Sequence, residues 1–399
     1  MNLIGVIRNM DEKRRQFIIG MATIAGAAAL DGFGLFNISS AVQSTPKTTV
    51  GRLSKDIKDY PHITDVIPSK DMKRYFSMIV DACSNPKMDY LSKIPFLIEL
   101  EVSKIWSESL FEWDALSNVG AAGLQQLMEG TARDFGLTVA RSPEIKALNL
   151  AISEYKRSRQ VIIDKRQELH KTVETGSRNI TPSNLAKINK IRAALGKLYT
   201  QRSVAYRKLK SAKATYVGRI NGMPPKQRRQ FDGRFVPELL IPAGVKHIVR
   251  DIMECRDFFG GPVEMNVWRG IAAYNSGLER TKKWEGLPYI QETVHFTRGV
   301  LSDLTKTLEL KHAYSTKDAT LIAQTKRRIG LPSRRSYYVY AVKRGDSFDE
   351  IIHEQIMDRY KVSYAKALQH IKDSKGKPVD PKKMSIIIPN QTFRIYPPK

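Results

Sequence analysis

Three short stretches carry the residue types that chemistry would need. The first is Trp106–Gly136, in which Glu108 falls at the end of an apolar helical pattern made by Ile94, Leu97, Ile98, Val102 and Ile105. Pro95 suits the first turn of that helix, where its missing N–H costs nothing. A carboxyl held beside Trp106 and Phe111 should be partly desolvated, which raises its pKa and retains the proton a general acid must deliver. Ser117 follows, then Gly120-Ala121-Ala122-Gly123, whose small residues let backbone approach backbone or ligand closely, then Gln126 on a short polar-faced helix. The second stretch is Ile271–Gly277. A helix that ends with Tyr274 and Asn275 just before a flexible glycine can aim a phenol and an amide into a groove. The third, Leu287–Phe296, carries Glu292.

The elements that must position these groups are mostly helical. A compact domain is expected over 71–310, opening with an amphipathic helix near Asp71. Ser142-Pro143-Glu144 reads as an N-cap, a first-turn proline and an acidic first turn, so a new helix begins there and runs through Glu174. The pattern breaks at Gly176–Ser183 and returns from Asn184 to about Val217, a helical hairpin inserted over about 150–232. Residues 151–230 hold twenty Lys and Arg against four Asp and Glu, +16 of the chain's net +26. Such charge favours polyanions, and it also serves simple solubility. As a contact surface for a polyanion or a protein partner, the hairpin would use Lys156, Arg157, Arg159, Lys165 and Arg166 on one helix and Arg202, Arg207, Lys208 and Lys210 on the other. It should project from the body and leave the sites above untouched.

At 399 residues, 42% hydrophobic and 27% charged, the chain is an ordinary globular protein in everything but its charge. Zinc-finger spacing, an RNP-type aromatic motif and a phosphate loop are all lacking, so nucleic acid is not expected as a partner. The seven histidines have no ligand spacing, and neither metal nor cofactor is expected. Residues 1–41 read as an export signal: Lys13, Arg14 and Arg15 precede an uncharged run from Phe17 to Leu30, and Ser39-Ser40-Ala41 offers small residues for cleavage. Arg14-Arg15-Gln16-Phe17-Ile18 resembles a twin-arginine signal. A general secretory signal or an uncleaved anchor fits as well, and each places the body in the periplasm or cell envelope. Residues 42–70 and 311–336 read as linkers. Cys83 and Cys255 would form one disulfide in an oxidising compartment or remain two buried thiols.

The three stretches resemble signature segments of the soluble lytic transglycosylases with a goose-lysozyme-like fold. Glu108-Ser109-Leu110-Phe111 matches E-S-x-F, and Ser117 to Ala132 matches S-x-x-G-A-x-G-L-M-Q-x-M-P-x-T-A, with Gln125 in place of Met and Glu129 in place of Pro. Ile271–Gly277 is similar to the family's A-A-Y-N-[AS]-G box, and Leu287–Phe296 to its P-x-x-E-T-x-x-Y segment, in register from Glu292 on, with Phe296 in place of Tyr and three residues rather than two between Pro288 and Glu292. The ends of 337–399, Val342-Lys343-Arg344-Gly345-Asp346-Ser347 and Pro389-Asn390-Gln391-Thr392-Phe393-Arg394-Ile395, resemble the lysin motif, a βααβ module that binds N-acetylglucosamine chains.

The resemblance implies a mainly α, lysozyme-like catalytic domain with an inserted hairpin and a small α+β module. It implies cleavage of the MurNAc–GlcNAc β-1,4 bond of peptidoglycan with a 1,6-anhydromuramic acid end. Glu108 would be the acid and then the base. Ser117, Gln126 and Asn275 would hold the sugar, Tyr274 would lie near the reacting centre, and Glu292 would orient the site. Asp114 is not assigned a nucleophile's role, so the substrate's N-acetyl group must stabilise the cationic centre. A hydrolytic muramidase of the same fold and an inactive wall-binding scaffold are the alternatives.

Overall fold

The computed structural model of this chain describes residues 53–139, 142–176, 181–288 and 290–329, and in the C-terminal region 338–341, 348–352, 356, 364–373, 377–379 and 391–395. The expected export signal lies outside the described residues. Among the described residues no helix is long and apolar enough to cross a membrane. The chain is mainly helical. In order come α1 (Pro61–Val66), α2 (Met72–Cys83), α3 (Tyr90–Lys93), α4 (Leu97–Ser109), α5 (Glu129–Asp134), α6 (Pro143–Gly176), α7 (Pro182–Asn221) and α8 (Pro225–Phe231). They are followed by α9 (Pro237–Phe259), α10 (Val263–Ser276), α11 (Leu278–Lys283), α12 (Gln291–Ser315), α13 (Ala319–Arg328), β1 (Tyr338–Ala341), α14 (Phe348–Ile352), α15 (Tyr364–Gln369), β2 (Ile371–Asp373) and β3 (Thr392–Ile395). Two compact units emerge: one of residues up to Pro68, Ile79–Ser107 and His247–Ile329, the other of Ser69–Met78, Glu108–Lys246 and Gly330–Lys399.

In the first unit α4 is buried almost all round, with Leu97, Leu100, Val102 and Ile105 at 0% exposure. α10 crosses α9 at Gly270, where a Cβ would stand 2.3 Å from the Ile252 side chain, so only glycine permits that approach. α1 lies in a stretch expected as linker, yet Ile63 is fully buried and α1 packs on α12. Its polar residues explain the difference: Asp65 accepts a hydrogen bond from the Tyr314 hydroxyl at 2.7 Å and pairs with Lys326 at 2.8 Å. The same contacts account for α13, also expected as linker, which Asp318 caps by accepting from the Thr320 and Leu321 amides. Cys83 and Cys255 are both buried and unbridged, the second of the two alternatives. Burial pushes the Cys83 thiol well up and that of Cys255 to about 12, which keeps both protonated and inert.

In the second unit the hairpin begins as its residues predict, with the Ser142 hydroxyl accepting from the Ile145 amide. Thr181 caps α7 by accepting from the Asn184 amide, and Pro182 occupies the first turn. The helices pack on each other through Ile162, Ile191 and Leu195. Ile191, Leu195, Leu198, Arg202, Leu209 and Tyr216 recur at intervals of three, four and seven residues, the spacing of a coiled-coil seam.

In the C-terminal region β1 and β3, the two end strands expected there, pair antiparallel from Tyr338↔Ile395 to Ala341↔Thr392. β2 was not expected; it adds to the other edge of β3, in the order β1-β3-β2. Phe348, Ile352, Ala367, Phe393 and Ile395 fill the core of this small body. Gly345, Asp346 and Asn390 lie outside the described residues.

Glu99, 2% exposed, joins three helices of the first unit: its Oε1 meets Lys311 Nζ of α12 at 2.7 Å and His62 Nε2 of α1 at 3.3 Å. Burial alone would raise the Glu99 pKa, but Lys311 and His62 outweigh it and hold the carboxyl at about 2. A value below the unfolded one means that the stabilisation is complete at neutral pH and is lost as pH falls from about 4.5 toward about 2. Replacing Glu99 by Gln should therefore cost roughly 2–4 kcal/mol at pH 7. In thermal melts, the gap between wild type and variant should narrow as the pH is lowered through that window.

Candidate active site

α4 ends in an unusual way. Leu110 (φ 53°) and Phe111 (φ 67°) follow each other in the left-handed region, which non-glycine residues seldom enter and which costs ~1–3 kcal/mol each. Burial of the Phe111 ring, 1% exposed, helps to hold the turn. Glu108, half-buried, sits on the last turn of α4 directly before it.

The loop 115–127 is built from its own polar groups. Leu116 bridges Ala122 and Ala122 bridges Leu127, forming a miniature sheet. The Ser117 hydroxyl oxygen accepts from the Ala121 amide at 2.9 Å and the Val119 amide at 3.3 Å. Gln126, expected on a short helix, lies instead in a turn of this loop before α5; it is itself left-handed (φ 47°), and its Nε2 donates to the carbonyls of Gly123 at 2.8 Å and Ala115 at 3.2 Å. Two carbonyl partners fix the amide's orientation, so Oε1 is the side left for a ligand. Gly123 (φ 72°) must be glycine, because a Cβ there would lie 1.9 Å from the Arg234 carbonyl oxygen. Gln125, a departure from the signature, is fully buried and fills the space over Gly244.

A buried ion pair holds this loop from behind. Arg234, 3% exposed, donates to Asp232 through Nη2 at 2.7 Å and Nε at 3.0 Å. Its Nη1 reaches the carbonyls of Gly120 at 2.9 Å and Leu127 at 3.4 Å, in the middle of the loop and at its end. Asp232, fully buried, also accepts from the Tyr216 hydroxyl of α7 at 2.6 Å. Burial first, and then the Asp232 carboxylate, push the Tyr216 phenol up, so it stays a donor.

The hairpin therefore does not stand clear of the loop as expected. Lys213 Nζ of α7 donates to Asn118 Oδ1 at 2.9 Å, Asn221 Nδ2 donates to Asp114 Oδ2 at 3.0 Å, and a Cβ at Gly120 would meet Ile152 of α6 at 3.2 Å. Arg234, Asp232 and Tyr216 were missed by sequence reasoning. One signal was present: Asp232 is the only acidic residue between Glu174 and Glu238.

Tyr274, Asn275 and Glu292 belong to the first unit, whereas Glu108, Ser117 and Gln126 belong to the second. Tyr274 and Asn275 occupy the last turn of α10, which closes at Gly277 (φ 92°) with its amide donating to the Ala273 carbonyl. Tyr274 is 9% exposed. Its ring lies 4.4 Å from the His247 ring, and Lys104 Nζ stands 4.2 Å from its centroid. Lys104, fully buried, pairs with fully buried Glu101 at 2.9 Å, and His247 pairs with Asp251 at 3.1 Å. A buried cation beside the ring is paired rather than lone, as burial requires. Asn275 Oδ1 accepts from the Thr293 hydroxyl at 2.8 Å. Thr293, the neighbour of Glu292, thus supplies an orienting contact that the sequence reading does not single out. Glu292 is exposed in the first turn of α12, where a carboxylate complements the helix dipole.

Comparison of the chain with protein-family models, with curated proteins and with solved structures found no match in any of the three.

Replacing Arg234 by Met would leave Asp232 charged, buried and short of its main partner. The expected loss is about 3–5 kcal/mol in urea denaturation. Tyr216→Phe, which removes one hydrogen bond to that charge, should cost about 1.5–3 kcal/mol. A loss below about 1 kcal/mol for Arg234→Met would mean that the pair does not hold the loop.

Proposed function

We propose that the protein is a lytic transglycosylase of peptidoglycan, with Glu108 as its single acid–base group. The observation that carries this reading is the pairing of signature and conformation. The residues that resemble the family's E-S-x-F segment coincide with a half-buried carboxyl on the last turn of a helix, followed by two consecutive left-handed residues. Strain of this kind persists where the surrounding structure enforces it, and it clusters at reacting centres.

Glu108 as carboxylic acid protonates the oxygen of the MurNAc–GlcNAc β-1,4 bond, and that bond breaks. The neighbouring N-acetyl group stabilises the cationic carbon. Glu108, now a carboxylate, takes the proton from the muramic acid C6 hydroxyl as its oxygen closes on C1, which yields the 1,6-anhydro end and returns Glu108 to its starting state. The hydrogen bonds within the protein support one role for each proposed binding group. Ser117 has accepted two amides, so its O–H donates to the sugar. Gln126 has committed its N–H groups and accepts through Oε1. Asn275 has committed Oδ1 to Thr293 and donates through Nδ2. Tyr274, flanked by Lys104 and His247, is placed near the reacting centre by the family resemblance.

The C-terminal module is proposed to bind the same glycan as a lysin-motif-like domain, the chain to be exported to the periplasm or envelope, and the hairpin to contact a polyanion.

Glu108→Gln keeps the shape and removes the proton. Release of soluble fragments from purified wall should fall ~10²–10⁴-fold while the melting temperature stays within a degree or so. Near-normal release by a folded variant would remove Glu108 from the chemistry.

A further inference from the structure

The proposed cleavage chemistry uses none of the charge on the hairpin. α7 holds ten Lys and Arg and no Asp or Glu in its 40 residues, whereas α6 mixes seven basic residues with five acidic ones. Concentrated like charge repels itself and opposes folding, and solubility alone is served by mixed signs, so a helix without one carboxylate calls for a further cause.

Part of the charge is used internally. Arg202 is 3% exposed with its guanidinium 5.3 Å from the Tyr199 ring centroid, Lys213 holds Asn118, and Arg219 pairs with Glu144. On α6, Lys165 pairs with Glu168 and Arg166 donates to the Tyr199 hydroxyl. What faces solvent on α7 includes Lys187, Lys190, Arg192, Lys197, Arg207 and Lys208. The last meets Glu154 at 3.3 Å in a largely exposed pair of small energetic weight.

The arrangement selects among polyanions. Ile191, Leu195, Leu209, Tyr216 and Ile220 of α7 are buried, so the helix offers no apolar face of the kind that inserts into lipid. Lys190, Lys197 and Lys208 are spaced by seven and eleven residues, near-whole turns that return them to one line of the helix, about 10 Å and about 16 Å apart. A nucleic-acid strand carries a phosphate roughly every 3.4 Å, several times more densely than this row can match. Lysine, a point charge on a flexible stem, suits scattered carboxylates better than bidentate recognition of one planar group.

We infer that α7 is a docking surface for a linear polymer with sparse charge, namely the carboxylates of the peptide side chains that hang from the glycan. This rests on the function proposed above and adds to it a substrate class: glycan that still bears its peptides. The root of α7 holds the 115–127 loop through Lys213 and through Tyr216 and Asp232, so a polymer docked on α7 is held to the body that carries Glu108.

The test uses the full chain carrying Glu108→Gln, with and without Lys187→Glu, Lys190→Glu, Lys197→Glu and Arg207→Glu, in pelleting assays on purified peptide-bearing wall before and after carbodiimide amidation of its carboxylates, which removes their charge and leaves the cross-links intact. At about 0.1 M salt the four reversals should abolish the extra binding to peptide-bearing wall and leave binding to amidated wall unchanged. At about 1 M salt, where the Debye length falls from ~10 Å to ~3 Å, the difference should vanish. Equal binding of the two proteins to peptide-bearing wall overturns the inference, as does tighter binding of the parent to duplex DNA or to anionic phospholipid vesicles. Should the reversed protein fail to fold by circular dichroism, the four Gln replacements give the same contrast. Cleavage of short peptide-free glycan by the chain with Glu108 intact is the separate readout: its absence in wild type sinks the proposed function, while the pelleting result still decides the docking surface.

Discussion

The second unit depends on one buried ion pair, Arg234 with Asp232. Neither charge can be left alone in the interior, and neither is, because the guanidinium spreads its donors over Asp232 and the carbonyls of Gly120 and Leu127. Those carbonyls belong to a loop with little regular structure of its own, and its backbone groups need partners wherever water cannot reach them. The same carboxylate takes the Tyr216 hydroxyl, so the long hairpin is tied to the loop at its root. Gly123 follows from this arrangement: the Arg234 backbone comes too close for any side chain there.

Within each unit the candidate site groups are oriented by neighbours rather than by their own preferences. Ser117 commits both acceptor positions and Gln126 both N–H donors to the loop, and Asn275 commits one atom to Thr293, so each retains one defined role toward a ligand. Tyr274 lies between an imidazole and an ammonium, each held by a carboxylate. Such preorganisation is what a site needs if binding groups are to meet a sugar without first rearranging.

Much of this was legible along the chain and some of it was not, for a physical reason. α4, the start of α6 and the cap of α7 follow from local signals, apolar spacing and N-cap chemistry, which act over a few residues. α1 and α13 were read as linker because their polarity is matched only by distant partners: the Tyr314 hydroxyl and Asp65 are 249 residues apart in sequence. Thr293 is not legible in the sequence because a motif names residue types and not the rotamer that makes contact. Arg234 was hidden in a basic stretch where one more cation drew no notice; the lone carboxylate of Asp232 was the better clue.

The most direct measurement is the chemistry of the ends that the wild-type protein leaves on purified peptidoglycan, read by mass spectrometry of the soluble products. If Glu108 works alone with the substrate's own groups, the new ends are 1,6-anhydromuramic acid, lighter by one water than reducing ends. Products with reducing ends would show water as the acceptor and contradict the transglycosylase account, and no products at all would remove the enzyme altogether.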